Sequence, residues 1–190
     1  MAYIDLGLDE HQYPGVRGLL SYRSDTGLLL SGLAEALLRG PSTLDTGERE
    51  LIAAYVSSRN ECVFCCSAHT AIAAVQIDGG SHLVDAAVRD PATAPVSAKL
   101  RALLAIAAAV QRSGRHVTAE LVTAARDVGA SDREIHDTVL IAAMFCLFNR
   151  YVDGLGTKTP TDPASYLAAA ENIAAHGYLP EQARGAAMHR

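Results

Sequence analysis

The chain has 190 residues, 16 basic against 21 acidic for a net charge of −5, and 49% hydrophobic residues with only 5% aromatic and no Trp. That length buries a core as one domain, and an apolar content made mostly of Ala, Leu, Val and Ile favours packed helices over a strand sandwich. No basic block offers the phosphate-tracking surface that a nucleic-acid partner needs.

Residues 1–23 carry Gly, Pro and Tyr without a clear period and read as an extended N-terminal arm wrapping over a partner the sequence does not name. The start, MAYIDLGLDEHQYPG, lacks the basic and apolar runs of a signal peptide, and no stretch approaches 18 uninterrupted apolar residues. The expectation is a soluble cytoplasmic protein with no membrane partner.

From Ser24, SDTGLLLSGLAEALLRG runs apolar at helical spacing and stops at Gly40-Pro41. A second helix begins at Asp45, with Glu48 placed to complete a capping box, and runs through ERELIAAYVSSRN. A third is expected from Glu61 or Cys62 to Ile77, before Gly79-Gly80. SHLVDAAVRD makes a short helix halted at Pro91, and VSAKLRALLAIAAAVQRSG and TAELVTAARDVG make two more. Ser131 and Glu134 form a second capping box opening SDREIHDTVLIAAMFCLFNRYVDGLG, and Asp162-Pro163 opens a last helix through Ile173. Residues 24–177 thus read as one all-α domain, with 178–190 as a frayed C-terminal tail. GERELIAAYVSSRNE and SDREIHDTVLIAAMF echo one another, which hints at two related helical hairpins.

The stretch NECVFCCSAHT holds three of the four cysteines within five positions, too close to cross-link distant parts of a fold. In a reducing compartment such a cluster points to catalysis or metal. On a helix, Cys62 and Cys65 would lie about 5 to 6 Å apart, within disulfide range, and Cys62 could also reach Cys66 on the neighbouring turn. His69 is a next-turn neighbour of Cys65 and Cys66, so a base there serves them better than Cys62. The helix dipole argues the other way, since Cys62 at the N-terminus gains more from the exposed N–H groups. The stripe Glu50, Ala53, Ala54, Ser57 would let a neighbouring helix approach closely, and a buried Glu50 would want an imidazole partner such as His69.

The spacing Glu50, Cys62, Cys65, His69, with ERELIAAYVSSRNECVFCCSAHT around it and FNRYVDGLGT further on, resembles the alkylhydroperoxidase D-like proteins of the carboxymuconolactone decarboxylase superfamily, in particular their peroxidase-related branch. The similarity covers roughly Thr43 to Gly156. It implies a compact all-α fold assembling into homo-oligomers and a thiol peroxidase that reduces organic hydroperoxides, regenerated by a dithiol reductant. It assigns attack on the peroxide to Cys65, resolution as an intramolecular disulfide to Cys62, and a proton relay to Glu50 and His69, with no cofactor. That agrees with the proximity of His69 and overrules the dipole argument. Two features depart from the family pattern: Val63-Phe64 stand where the best-known members carry a histidine, and Cys66 is an added thiol.

Other readings carry different chemistry. The same two cysteines could serve a dithiol–disulfide oxidoreductase without peroxide, and a lactone decarboxylase would have no use for a redox pair. A structural or sensing zinc module would draw three ligands from Cys62, Cys65 and His69 but lacks a fourth. Cys66 and Cys146 read as core, and His82, His116 and His136 as exposed. Asn149, Arg150 and Asp153 divide evenly between an ordinary helix end and a contact at the site or between subunits.

Overall fold

The computed structural model describes residues 1–180. Among them the backbone forms nine α-helices, one 3-10 turn and no strand, as the composition requires. In chain order the helices are α1 (Val16–Tyr22), α2 (Ser24–Leu38), α3 (Thr46–Arg59), α4 (Val63–Ala74), α5 (Gly80–Arg89), α6 (Ala98–Arg112), α7 (Ala119–Asp127), α8 (Asp132–Gly154) and α9 (Pro163–His176).

The helix starts are set by local chemistry. Glu48 Oε2 accepts the Asp45 amide at 3.1 Å to close the capping box of α3, and Glu134 accepts the Ser131 amide at 2.7 Å to close that of α8. Asp162 Oδ1 accepts the Ala164 amide at 3.0 Å beside Pro163, which opens α9. Each box has an arginine beside its glutamate that ties the helix start to the end of α2 or the turn after it: Arg49 Nη1 donates to the Leu37 and Gly40 carbonyls at 3.0 and 2.9 Å, and Arg133 to the Pro41 carbonyl at 3.0 Å.

Helix α3 is the axis of the core. Every residue from Arg49 to Ser57 is buried, and the helix packs on α2, α4, α5, α6 and α8. Leu51, Ile52 and Val56 meet Leu103, Leu104 and Ile106 of α6 and Ile141 and Phe145 of α8 in one apolar cluster. Each such side chain contributes roughly 1.5 to 3 kcal/mol on leaving water. The 23-residue α8 is long and apolar enough to cross a membrane by length and composition, yet half of its most apolar window is buried inside the fold.

The structure corrects two sequence expectations and supplies what a third left open. The arm is not extended throughout, because residues 16–22 form α1. Its partner is the chain itself: Tyr3 N–H bonds the Leu155 carbonyl at 2.8 Å, Gly15 N–H the Lys158 carbonyl at 2.9 Å, and Glu10 accepts the Lys158 amide at 3.3 Å. Helix α4 starts later and ends earlier than expected. Glu61 takes a left-handed φ of 59° that breaks the chain from α3, and Cys62 is left outside the helix as its N-cap.

Candidate active site

The site is built where α3 and α4 pack together. The small residues Ala53, Ala54 and Ser57 are completely buried and let α4 come close, as the stripe on α3 requires. Glu50, at the head of that stripe, is itself 0% exposed. Its carboxylate Oε2 accepts a hydrogen bond from His69 Nδ1 at 2.7 Å, and its Oε1 accepts one from the Tyr178 hydroxyl at 2.6 Å. A buried carboxylate is tolerated because both oxygens are met by donors. With Nδ1–H given to Glu50, the neutral imidazole carries its lone pair on Nε2. The ring is held by the Phe145 edge at 4.5 Å and lies nearly parallel to Tyr178 at 6.3 Å.

Cys62 and Cys65 are 0% and 2% exposed, both as free thiols, in a small apolar cluster with Phe64, Val152 and Tyr166. The two thiols face one another, and each sets the other's acidity. The Cys65 thiol lowers the pKa of Cys62; burial works against it, the Cys65 amide at the helix start assists, and Asp153 opposes. The pKa of Cys65 is pushed far up by the Cys62 sulfur beside it and then by burial, with Asn149 acting in the opposite sense. The pair therefore holds one negative charge before two.

Asn149 is the pivot between these thiols and the core. It is 1% exposed, donates to Ser57 Oγ at 3.0 Å and accepts from Asn60 Nδ2 at 2.7 Å, while Gln111 donates to Asn60 Oδ1 at 2.9 Å. Of the three polar residues near the end of α8, Asn149 and Asp153 face the cysteines, and Arg150 instead bonds the Cys146 carbonyl at 2.9 Å on the exposed side.

The structure thus brings Glu50 to His69 and Cys62 to Cys65. His69 lies one turn beyond Cys65 on α4, and its Nε2 makes no hydrogen bond among the described residues. Cys66 corrects the core reading, whereas Cys146 packs against the core from its edge. Cys66 is only half-buried, with Thr70 Oγ1 4.0 Å from its sulfur, in an open cleft of about 540 Å3 that also holds Arg59, Asp85 and Arg89. Cys146 is likewise half-buried, 3.6 Å from Asn60 Nδ2. His82, His116 and His136 are exposed as expected. Among the described residues no group of three or more His, Cys, Asp or Glu side chains is arranged to hold a metal ion. Sequence reasoning missed Tyr178, which it assigned to a frayed tail, and also Asn60 and Phe145 as supports. The rest of that tail, 181–190, lies outside the described residues.

The model of the carboxymuconolactone decarboxylase family matches residues 25–77, the segment from α2 to just past α4. No curated protein matches the chain. Among solved structures, an uncharacterized peroxidase-related protein from Ralstonia eutropha JMP134, described as an alkylhydroperoxidase AhpD core, is 27% identical with a TM-score of 0.73, covering 81% of this chain and 79% of that one. An uncharacterized peroxidase-related protein from Silicibacter sp. TM1040 is 25% identical with a TM-score of 0.73, covering 83% of this chain and 82% of that one. With nine α-helices among the described residues and the matched segment carrying Glu50, Cys62, Cys65 and His69, the chain is similar to the alkylhydroperoxidase D-like proteins of the carboxymuconolactone decarboxylase superfamily.

Proposed function

We propose that the chain is a thiol-dependent peroxidase that reduces organic hydroperoxides through Cys62 and Cys65, with Glu50 and His69 as its proton relay. The observation that carries this reading is the pair of buried free thiols facing one another at the start of α4, one turn before an imidazole fixed by a buried carboxylate. The peroxidase-related names of both structural neighbours support it.

In the reaction, His69 Nε2 takes the Cys65 proton and the Cys65 sulfur attacks the peroxide. The S–O bond forms as O–O breaks, the alkoxide leaves with the proton from His69 as an alcohol, and Cys65 becomes a sulfenic acid. The Cys62 sulfur then attacks Cys65, the S–S bond forms, and the displaced hydroxide leaves with the Cys62 proton as water. An external dithiol reduces the disulfide by exchange. The enclosure by Phe64, Val152 and Tyr166 keeps water from the sulfenic acid and suits an apolar peroxide substituent. Free thiols of this kind suit the reducing cytoplasm. The protein acts as a homo-oligomer, whose contacts would cover apolar side chains such as Leu29, 74% exposed on α2.

A second reading draws on the acidity of Cys62: a thiol favoured as thiolate at a helix N-terminus also suits a dithiol–disulfide oxidoreductase without peroxide. The two separate on mixing the reduced protein with cumene hydroperoxide and following free thiols. Loss of two thiols, abolished in Cys65→Ser, is the expected result. No loss, with turnover of a disulfide substrate instead, would move the assignment to the second reading.

A further inference from the structure

We infer that Tyr178 is a positioning residue of this site: its phenol O–H, delivered by the segment after α9, holds the Glu50 carboxylate in place as the partner of His69. This rests on the reading of Glu50 and His69 as the relay.

The Glu50 carboxylate has two oxygens in a completely buried position and two donors, His69 Nδ1 at 2.7 Å and Tyr178 Oη at 2.6 Å. Neither nearby arginine pairs with it. Arg49, its chain neighbour, donates to the Leu37 and Gly40 carbonyls, and Arg39 donates to the Ile173 and Ala174 carbonyls at 3.0 and 3.1 Å. The carboxylate is therefore held by the tyrosine and the histidine.

The delivery of the phenol is built rather than incidental. Arg39, the residue that follows α2, grips the Ile173 and Ala174 carbonyls in the last turn of α9, and Glu35, one turn earlier on α2, accepts the Tyr178 amide at 2.7 Å. Between them Gly177 turns the chain at φ 78°, where a Cβ would collide with the Glu35 carboxylate. Burial, and then the Glu50 charge and hydrogen bond, raise the Tyr178 pKa well above its ordinary value, so the phenol stays an O–H donor throughout the range in which a thiol peroxidase works. The charged and titratable groups facing this pair are His69 on α4 and Arg49 on α3 beside Glu50, and Arg39 just past α2 and Glu35 on α2 beside Tyr178. Helix α8 presents the Phe145 ring.

Removing the phenol O–H leaves one carboxylate oxygen without a donor, so the Glu50–His69 pair binds a proton more readily. The test is Tyr178→Phe, read by an NMR pH titration of histidine-labelled protein with His69 assigned by difference against His69→Gln. The expected result is a His69 midpoint raised by about one pH unit, the size of one lost hydrogen bond to a charged group, with the circular dichroism spectrum unchanged. The acid limb of the pH profile for thiol oxidation should move up with it, at constant KM for cumene hydroperoxide. A folded Tyr178→Phe protein with an unmoved midpoint would overturn the inference. Should that variant not fold, 3-fluorotyrosine placed at position 178 supplies a stronger donor and must move the midpoint down; no movement overturns the inference equally. The titration needs no turnover, so a protein inert to hydroperoxide whose midpoint still shifts would contradict the peroxidase reading and leave the role of Tyr178 standing.

Discussion

Glu50→Gln tests the relay with the least disturbance of packing, because the amide keeps the shape of a carboxyl that is completely buried. In the native site Glu50 accepts from both His69 Nδ1 and Tyr178 Oη. A glutamine has one acceptor and one NH2, so one of those two neighbours faces a donor instead. If the amide NH2 meets the imidazole, Nδ1 must accept and the ring proton moves to Nε2, which removes the lone pair from the side that serves the thiols. Hydrogen bonds to a charged partner contribute roughly 1.5 to 3 kcal/mol against about 1 kcal/mol for neutral ones, so the substitution should cost about 1 to 3 kcal/mol of stability. General-base catalysis contributes about 100- to 10,000-fold, and a fall of at least about 100-fold in the rate of thiol oxidation by cumene hydroperoxide is expected. The rate is measured by stopped-flow and stability by urea unfolding on the same preparation. A folded Glu50→Gln protein oxidised at the wild-type rate would refute the relay.

Cys65→Ala takes away the thiol that lowers the Cys62 pKa, whereas Cys65→Ser keeps a hydroxyl donor there; the pH midpoint for alkylation of Cys62 should lie higher in the alanine variant, and equal midpoints would contradict the shared-charge account. Burial opposes ionisation of Glu134, but the Lys99 ammonium at 2.7 Å, the Ser131 amide and the Thr43 and Ser131 hydroxyls overcome it and hold the carboxyl at about 2 against an ordinary 4.5. A lowered folded-state pKa gives stability that is complete above the unfolded value and lost as pH falls through the folded one, here about 3 kcal/mol. Unfolding free energies should therefore fall more steeply with acid between about pH 5 and pH 2 in wild type than in Glu134→Gln, and parallel slopes would contradict this. Gly15→Ala meets a left-handed φ of 58° and collides with the Phe64 ring, so it should lower stability by at least about 1 to 2 kcal/mol and speed alkylation of the thiols beneath. An unchanged denaturation midpoint would show that the arm does not seat there.

Much of the fold was legible because its signals are local. Asp45 with Glu48, Ser131 with Glu134, and Asp162 with Pro163 each start a helix where the sequence places one. Glu50 and His69 were legible as a pair because a small-residue stripe on one helix and a periodic position on the next must meet when the helices pack. Glu61 was not legible: a glutamate carries no signal for a left-handed φ, which here is set by the turn that lets Cys62 cap α4. Tyr178 was hidden for the opposite reason. It follows a helix stop in a segment without periodicity, and only the tertiary grip of Glu35 and Arg39 turns that segment back to Glu50. Cys66 misled because cysteine alone reads as core, and the cleft that half-exposes it depends on how α5 packs beside α4.

The most direct measurement is intact-protein and peptide mass spectrometry after one equivalent of cumene hydroperoxide. The account expects loss of two hydrogens per chain, with the new disulfide in the peptide joining Cys62 to Cys65, and no such product from Cys65→Ser. Retention of both thiols in the wild-type protein, or a disulfide that leaves out Cys65, would contradict it.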